Sequence, residues 1–226
     1  PMAIEQHKQR FIPSGRMELD RRLGGGLPIP SLIMLEGQNS TGKSTFLQQM
    51  MWGGLGKDLK ITYITTECQV KTLLGQMKQI SLDVEKHFLW GRLKIIPLHL
   101  EGMKWNDKIL TNLLNDLLKF INHDPNPVIV VDSITYFLYR AVDEDALTFF
   151  TNLRNLVEKG KSILFSLHPE PIDPNMLIKI RAICDGHILL KLSSMGGRFV
   201  WIAEVVKLKG SEITAGTIFS FDIDPV

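Results

Sequence analysis

The sequence contains very little cysteine, which excludes several kinds of site. Cys68 and Cys184 are its two cysteines, and they stand far apart in the chain. Two distant cysteines without a ladder of histidines give neither the spacing of a metal site nor a disulfide framework. We therefore expect two small buried side chains in a protein of a reducing, intracellular compartment.

The sequence also lacks a large excess of charge and any long apolar run. Lysine and arginine number 26 against 24 aspartates and glutamates, which leaves a net charge of +2. This balance does not produce the field expected for binding nucleic acid or a membrane surface. No apolar run approaches the length of a membrane span, and the N-terminus lacks the apolar core of a signal peptide. We expect no nucleic-acid partner, and only indirect contact with a membrane.

The most informative segment that is present runs from Gly37 to Thr45 and reads GQNSTGKST. It fits the phosphate-loop pattern G-x-x-x-x-G-K-[ST] at every fixed position. Glycines let backbone N–H groups turn towards phosphate oxygens, and the next helix adds its positive N-terminal end. Lys43 can reach the outer phosphates, and the Ser44 hydroxyl can bind Mg²⁺. The predicted loop contacts are Gly37, Asn39, Ser40, Thr41, Gly42, Lys43, Ser44 and Thr45.

The segments on either side of the loop fit this interpretation. Residues 31–36 form an apolar run of strand length, and residues 45–52 have apolar side chains at helical spacing. Gly53 and Gly54 are expected to end that helix. The alternative is a surface turn that fits the pattern by chance, which the neighbouring strand and helix make the less favoured reading.

Strand and helix patterns alternate up to residue 167, which predicts a mainly parallel sheet with crossover helices. Three further strands joined by short turns are predicted between residues 186 and 223, as an antiparallel extension. The expected fold class is α/β, with a mainly parallel sheet flanked by helices and C-terminal antiparallel strands. We expect one domain over residues 1–226, with residues 1–11 as a flexible N-terminal segment.

Two acidic residues follow predicted strands and are candidates for the same site. Asp132 ends the apolar run 128–131, at the edge of a parallel sheet where ligands bind, and could hold the Mg²⁺ shell through Ser44 or water. Glu67 ends another strand and would face the same crevice if that strand neighbours the loop strand, where it could act as a general base. Each could instead be an ordinary solvated carboxylate or helix cap.

Three other polar residues carry weaker signals. His168 follows the apolar run 163–167 and could bind the outer phosphate, or be a structural histidine at the start of a loop. Lys207 and Lys209 alternate along a predicted strand and so share one face. From spacing alone they are solvated lysines that protect the edge of a sheet.

Taken together, these segments resemble the KaiC-like branch of the RecA superfamily. Its marks, besides the loop, are LDRRLGGGL at 19–27, YITTE at 63–67, VVDSIT at 130–135 and VKLKGSE at 206–212. The resemblance covers nearly all of the chain from Ile12 onward. A single domain of this size most resembles the accessory ATPases of the archaeal flagellum, the archaellum.

The resemblance implies a RecA-type core that binds ATP and Mg²⁺ in hexameric rings, with ATP between subunits. Asp132 would be the acid of the second motif and Glu67 the catalytic glutamate, while His168 lies near the polar sensor position. Lys207 and Lys209 would reach the neighbouring subunit's γ-phosphate in trans. The resemblance further implies a cytoplasmic location at the base of the motor, beside the separate assembly ATPase and the membrane platform.

Two departures from the family pattern bear on activity. Active relatives often carry paired glutamates where this chain has Glu67 and Cys68, and an arginine where it has Lys209, which lacks the bidentate fork. We therefore favour an ATP-dependent assembly or regulatory factor of the archaellum motor with weak or no hydrolysis. The alternative is an active ATPase or autokinase. A DNA-binding recombinase is least favoured, because segments 141–145 and 169–174 are acidic where DNA requires basic residues.

Overall fold

The structure is a computed structural model that describes residues 10–98, 107–139, 141–213 and 215–221. Some expectations lie outside the described residues: the first nine residues of the N-terminal segment, and residues 222–223 of the last predicted strand.

Among the described residues, ten strands and eight helices form the elements of the fold. The strands are β1 Arg10–Ile12, β2 Leu27–Ile29, β3 Leu32–Glu36, β4 Ile61–Thr65, β5 Leu93–Pro97, β6 Val128–Asp132, β7 Ser162–Leu167, β8 Gly186–Met195, β9 Arg198–Leu208 and β10 Thr217–Phe221. The helices are α1 Met17–Arg22, α2 Lys43–Leu55, α3 Val70–Gln79, α4 Glu85–Leu89, α5 Asp107–His123, α6 Thr135–Leu138, α7 Asp143–Glu158 and α8 Pro174–Ile183.

Eight of these strands form one sheet in the order β10-β9-β8-β3-β7-β6-β4-β5. The strands from β8 to β5 are parallel, and β9 and β10 add antiparallel pairs at one side. Every residue of β3, β4, β6 and β7 is buried, as expected for strands covered by helices on both faces. The predicted α/β fold class, with its antiparallel extension, is confirmed.

Neighbouring residues of β3 belong to two apolar cores on opposite faces of the sheet. Leu35 packs with Phe46 and Leu47 of α2, whereas Met34 belongs to the cluster that includes Phe150 of α7. This alternation follows from the pleat, which points successive side chains to opposite faces. The strand before the phosphate loop is therefore held from both sides. Among the described residues, no helix is both long enough and apolar enough to cross a membrane.

Two boundaries differ from the sequence expectations. Arg10 and Phe11, expected in a flexible segment, lie in β1, which pairs with β2. Helix α2 continues through Gly53 to Leu55 instead of ending at the glycines. A Cβ atom at Gly53 would lie 2.1 Å from the carbonyl oxygen of Pro13. The glycine therefore lets the chain after β1 approach α2 closely, and this packing outweighs its low helix propensity.

We expect Gly53→Ala to lower the free energy of unfolding by about 1–3 kcal/mol, because the added methyl group meets backbone that cannot move freely. Gly75→Ala is the matched control, since Gly75 is also helical and no described residue lies within 4 Å of its Cβ position. That change should raise stability by up to about 1 kcal/mol. Urea denaturation of both variants checks this, and similar effects in the two would contradict the packing role of Gly53.

Candidate phosphate-binding site

A pocket of about 480 Å³ lies at the carboxyl edge of the parallel strands and gathers most of the predicted site residues. Its wall combines the phosphate loop with side chains from three other strand ends. The lining residues are Asn39, Ser40, Thr41, Gly42, Lys43, Ser44, Thr45, Glu67, Asp132, His168 and Trp201. Of the predicted residues, Gly37, Lys207 and Lys209 are not among them.

The loop backbone has the conformation that its glycines allow. A Cβ atom at Gly37 would lie 2.5 Å from both the Leu190 carbonyl oxygen and the Thr41 hydroxyl oxygen, so that a side chain is excluded there. Ser40 and Gly42 have φ angles of 62° and 86°, in the left-handed region. Gly42 then caps α2, whose N-terminal end faces the pocket. This is the arrangement in which helix N–H groups bind phosphate.

The Lys43 side chain folds back over its own loop. Its Nζ donates to the carbonyl oxygens of Gly37, at 2.7 Å, and Gln38, at 2.5 Å. Burial lowers the pKa of Lys43 to about 8, and nearby carboxylates, chiefly Asp132, act in the opposite direction. The Lys43 ammonium group thus lies within the phosphate loop, close enough to bind a phosphate oxygen after a rotation of the side chain.

Asp132 is held by hydrogen bonds from the strands on both of its sides. Its carboxylate accepts from the Tyr63 hydroxyl of β4, at 2.7 Å, and from the Ser166 hydroxyl of β7, at 2.6 Å. Asp132 is 3% exposed, so these bonds form in a largely water-free environment. Ser44 lines the same pocket. Hydroxyl and carboxylate oxygens are the ligands that Mg²⁺ prefers, together with phosphate oxygens.

Glu67 reaches the pocket by a route that the sequence did not predict. The premise that β4 neighbours the loop strand β3 is wrong, because β7 and β6 lie between them. Glu67 still lines the pocket, since the carboxyl ends of parallel strands share one edge. The backbone N–H of Glu67 donates to the Thr65 hydroxyl at 3.1 Å, and the N–H of Thr66 donates to the Asp132 carbonyl at 2.8 Å.

His168 is positioned by its backbone and has an unsatisfied ring nitrogen. Its N–H donates to the Thr135 hydroxyl at 2.9 Å. Its buried Nδ1 has no hydrogen-bond partner among the residues that the structure describes. Burial lowers the pKa of His168, and the charge of Lys43 lowers it further. The lowered pKa favours a neutral imidazole, which can still offer one ring N–H to a ligand in the pocket that His168 lines.

Lys207 and Lys209 lie away from this pocket within the chain. The Lys207 amino group donates to the carbonyl oxygens of Arg181, at 2.9 Å, and Ala182, at 3.3 Å. These carbonyls belong to the last turn of α8, so Lys207 caps that helix in a favourable position relative to its dipole.

The prediction that both lysines alternate along one strand is wrong for Lys209. Strand β9 ends at Leu208, and Lys209 lies in the exposed turn that follows. The N–H of Lys209 donates to the Asp185 carbonyl at 3.0 Å, and Gly210 has a φ of 89°. The turn at Gly210 therefore ends the strand before Lys209, so the alternation of side chains along β9 does not extend to Lys209.

Sequence reasoning missed Trp201, which lines the pocket and donates its indole N–H to the Ser40 carbonyl at 3.2 Å. In the sequence Trp201 alternates with Ala203 and Val205, so it looks like an ordinary core aromatic. Only the order of β9, β8 and β3 in the sheet brings it over the loop. No local signal could have found it.

A second pocket, of about 210 Å³, adjoins the first at Thr45, which lines both. It lies between α1, α2 and β10, and no motif in the sequence predicts it. Its walls carry aromatic rings with charged residues around them. The lining residues are Arg16, Glu18, Leu19, Arg22, Thr45, Phe46, Gln49, Phe219, Ser220 and Phe221.

Comparisons with known proteins agree with this geometry. The family model described as "ATPase: KaiC" matches residues 12–225. The archaeal flagellar ATP-binding protein FlaH of Sulfolobus acidocaldarius is 39% identical over 215 residues, which cover 95% of this chain and 93% of the relative. The crystal structure of flagellar accessory protein FlaH from Methanocaldococcus jannaschii has a TM-score of 0.80 at 25% identity, covering 93% and 92% of the two chains.

The KaiC-like protein PH0186 of Pyrococcus horikoshii OT3 has a TM-score of 0.75 over 96% of both chains, at 21% identity. At this identity the likeness concerns the fold alone.

We expect the affinity for Mg-ATP to fall by about tenfold between about pH 7 and about pH 9, because the free ammonium of Lys43 loses its proton in this range. A bound polyphosphate favours the charged form, so binding at the higher pH should take up a proton. Calorimetry in buffers of different ionisation enthalpy measures both effects. The residual affinity of Lys43→Arg should lack this pH dependence, since arginine stays charged. A flat profile in the wild type would contradict the assignment.

We expect Lys207→Met to lower the free energy of unfolding by about 1 kcal/mol, because it removes the donor to the last carbonyls of α8. Lys209→Met should change stability by less than about 0.5 kcal/mol, as is usual for an exposed position. Urea denaturation of the two variants makes the comparison. Equal losses would rule out the capping role of Lys207.

Proposed function

The chain belongs to the KaiC family of ATPases, and on this premise we propose that it is an ATP-binding assembly or regulatory factor of the archaeal flagellum motor. The binding of ATP, rather than its hydrolysis, would control assembly, and hydrolysis would be weak or absent. The observation that carries the proposal is the convergence of the phosphate loop, Asp132, Glu67 and His168 on one pocket.

The residues of this pocket fit Mg-ATP. Lys43 would give up its bonds to the two loop carbonyls and bind phosphate oxygens, and His168 would donate a ring N–H to the outer phosphate. Ser44 and Asp132 would hold Mg²⁺ together with phosphate oxygens. The magnesium would neutralise charge on the phosphates. We place the base in the adjoining pocket at Thr45, whose aromatic wall suits a flat ring.

Slow turnover follows from what surrounds Glu67. The neighbouring residue is Cys68, and burial raises the pKa of its thiol, so it stays neutral and supplies no second carboxylate. Lys207 is already engaged by the end of α8. Lys209 lies outside the pocket of its own chain and could approach only a phosphate held by a neighbouring subunit. Any stimulation of hydrolysis would therefore depend on ring formation.

The relatives named as archaeal flagellar ATP-binding proteins support a role at the motor. We propose that ATP sits between the subunits of a hexameric ring in the cytoplasm, at the base of the motor. The ring would contact the assembly ATPase and the membrane platform, so contact with the membrane itself would be indirect. A ligand shifts such an assembly only if it binds one state better than the other, and a contact between two subunits satisfies this condition.

One observation favours the alternative of an active ATPase or autokinase. Glu67 faces the phosphate pocket, where a carboxylate can take a proton from an attacking water or hydroxyl group. The two functions differ in whether this proton transfer is required.

We expect Mg-ATP to raise the particle mass from monomer to ring with negligible phosphate release. Light scattering and a phosphate-release assay on the same sample measure the two quantities together. Lys43→Ala should abolish the change in mass, because the loop loses its cation. Glu67→Gln should preserve it, because binding does not need a general base.

Lys57→Ala is the matched control, since Lys57 is an exposed lysine just beyond the other end of α2. It should behave as the wild type. Sustained phosphate release that is lost in both Glu67→Gln and Lys209→Met would establish the active ATPase and overturn the regulatory proposal.

A further inference from the structure

Trp201 joins the phosphate loop to the antiparallel side of the sheet. Its indole N–H donates to the Ser40 carbonyl at 3.2 Å. Its ring also passes close to the next turn of the loop, where a Cβ atom at Gly42 would lie 3.2 Å from the indole Cδ1. The side chain therefore contacts the loop both by a hydrogen bond and by packing.

The indole is supported from behind by two other aromatic rings. Trp201 stacks on Phe221 of β10 with ring centroids 6.4 Å apart and an interplanar angle of 27°. Phe221 in turn meets Phe46 of α2 edge-on, at 5.8 Å and 81°. The three rings therefore form a continuous row of contacts from β9 through β10 to α2. Phe46 belongs to the helix that begins at the phosphate loop, so this row returns to the loop. The indole cannot turn away from Ser40 without disturbing this packing.

The hydrogen bond to Ser40 acts on a residue of the loop whose backbone conformation is unfavourable for a residue with a side chain. Ser40 has a φ of 62°, a conformation that residues with a side chain rarely adopt. Its carbonyl direction fixes the plane of the next peptide, because the peptide bond is planar. In a trans peptide, the N–H of Thr41 points opposite to that carbonyl. A donor on the Ser40 carbonyl therefore sets the direction of the Thr41 N–H.

We propose that Trp201 is a positioning residue of the phosphate loop, which holds segment 40–42 in the conformation that binds phosphate. The inference rests on the proposed nucleotide-binding function of this pocket. It assigns to the antiparallel extension a part in phosphate binding, through one indole N–H and the ring that carries it. The residue acts on the loop, and its effect should not depend on the base of the ligand.

The test compares wild-type protein, Trp201→Phe and Trp90→Phe by calorimetry with Mg-ATP and with Mg-tripolyphosphate, which has no base. Trp201→Phe keeps an aromatic ring and removes the N–H. Both ligands should bind about fivefold more weakly to it, the factor that corresponds to one net hydrogen bond. Trp90→Phe makes the same chemical change at a residue that is 68% exposed and should leave both affinities unchanged.

A second measurement uses the wild type alone, so that it does not depend on how a variant folds. The indole N–H signal of Trp201, assigned in isotope-labelled wild-type protein through its bonded neighbours, should shift saturably with Mg-tripolyphosphate at the calorimetric affinity. It should also exchange more slowly with solvent in the bound state.

The possible results distinguish a failure of the positioning role of Trp201 from a failure of the proposed nucleotide binding. Unchanged affinities in Trp201→Phe, or an indole signal that ignores tripolyphosphate, would overturn the positioning role while leaving nucleotide binding intact. A loss with Mg-ATP but not with Mg-tripolyphosphate would mean that Trp201 contacts the base, and would also overturn it. A wild type that binds neither ligand would remove the proposed function as well.

Discussion

The parallel pairing of β3, β7, β6 and β4 is the constraint on which the site depends. In this register Glu36 of β3 lies beside Leu167 of β7, and Thr65 of β4 beside Asp132 of β6. The residue after each strand therefore emerges at the same edge, whichever part of the chain it comes from. The loop, the carboxylates and His168 meet there because hydrogen bonds align the strand ends.

An ion pair between Glu36 and Arg181 holds the start of the phosphate loop against α8. Glu36, the last residue of β3, accepts from Arg181 of α8 at 2.8 Å and lies 2.8 Å from the ring nitrogen of His187 in β8. Burial acts to raise the pKa of Glu36, but the neighbouring His187 ring and the Arg181 guanidinium prevail and lower it to about 2. The same turn of α8 accepts the Lys207 amino group. Helix α8 thus connects the start of the loop to β9, through the lysine that caps its last turn.

The fold class and the phosphate loop could be predicted because their signals are local. Residues 37–45 carry a motif whose glycines and lysine each have a fixed task, and the apolar run before Asp132 identifies a buried strand by itself. The order of strands is not local, and this is why the condition set for Glu67, that its strand neighbours the loop strand, does not hold although Glu67 lines the pocket. Trp201 was missed for the same reason, and Gly53 was misread because its contact with Pro13 joins distant segments.

The lysine bonds inside the loop have a consequence for what the pocket accepts. Because Lys43 already satisfies two carbonyl oxygens of its own chain, an incoming anion must compete with bonds that exist before it arrives. A ligand that offers a single weak contact gains little from this exchange. One with several phosphate groups can engage the ammonium, the helix N-terminus and the hydroxyl groups together. These internal bonds of Lys43 favour ligands that make several contacts at once over ligands that offer charge alone.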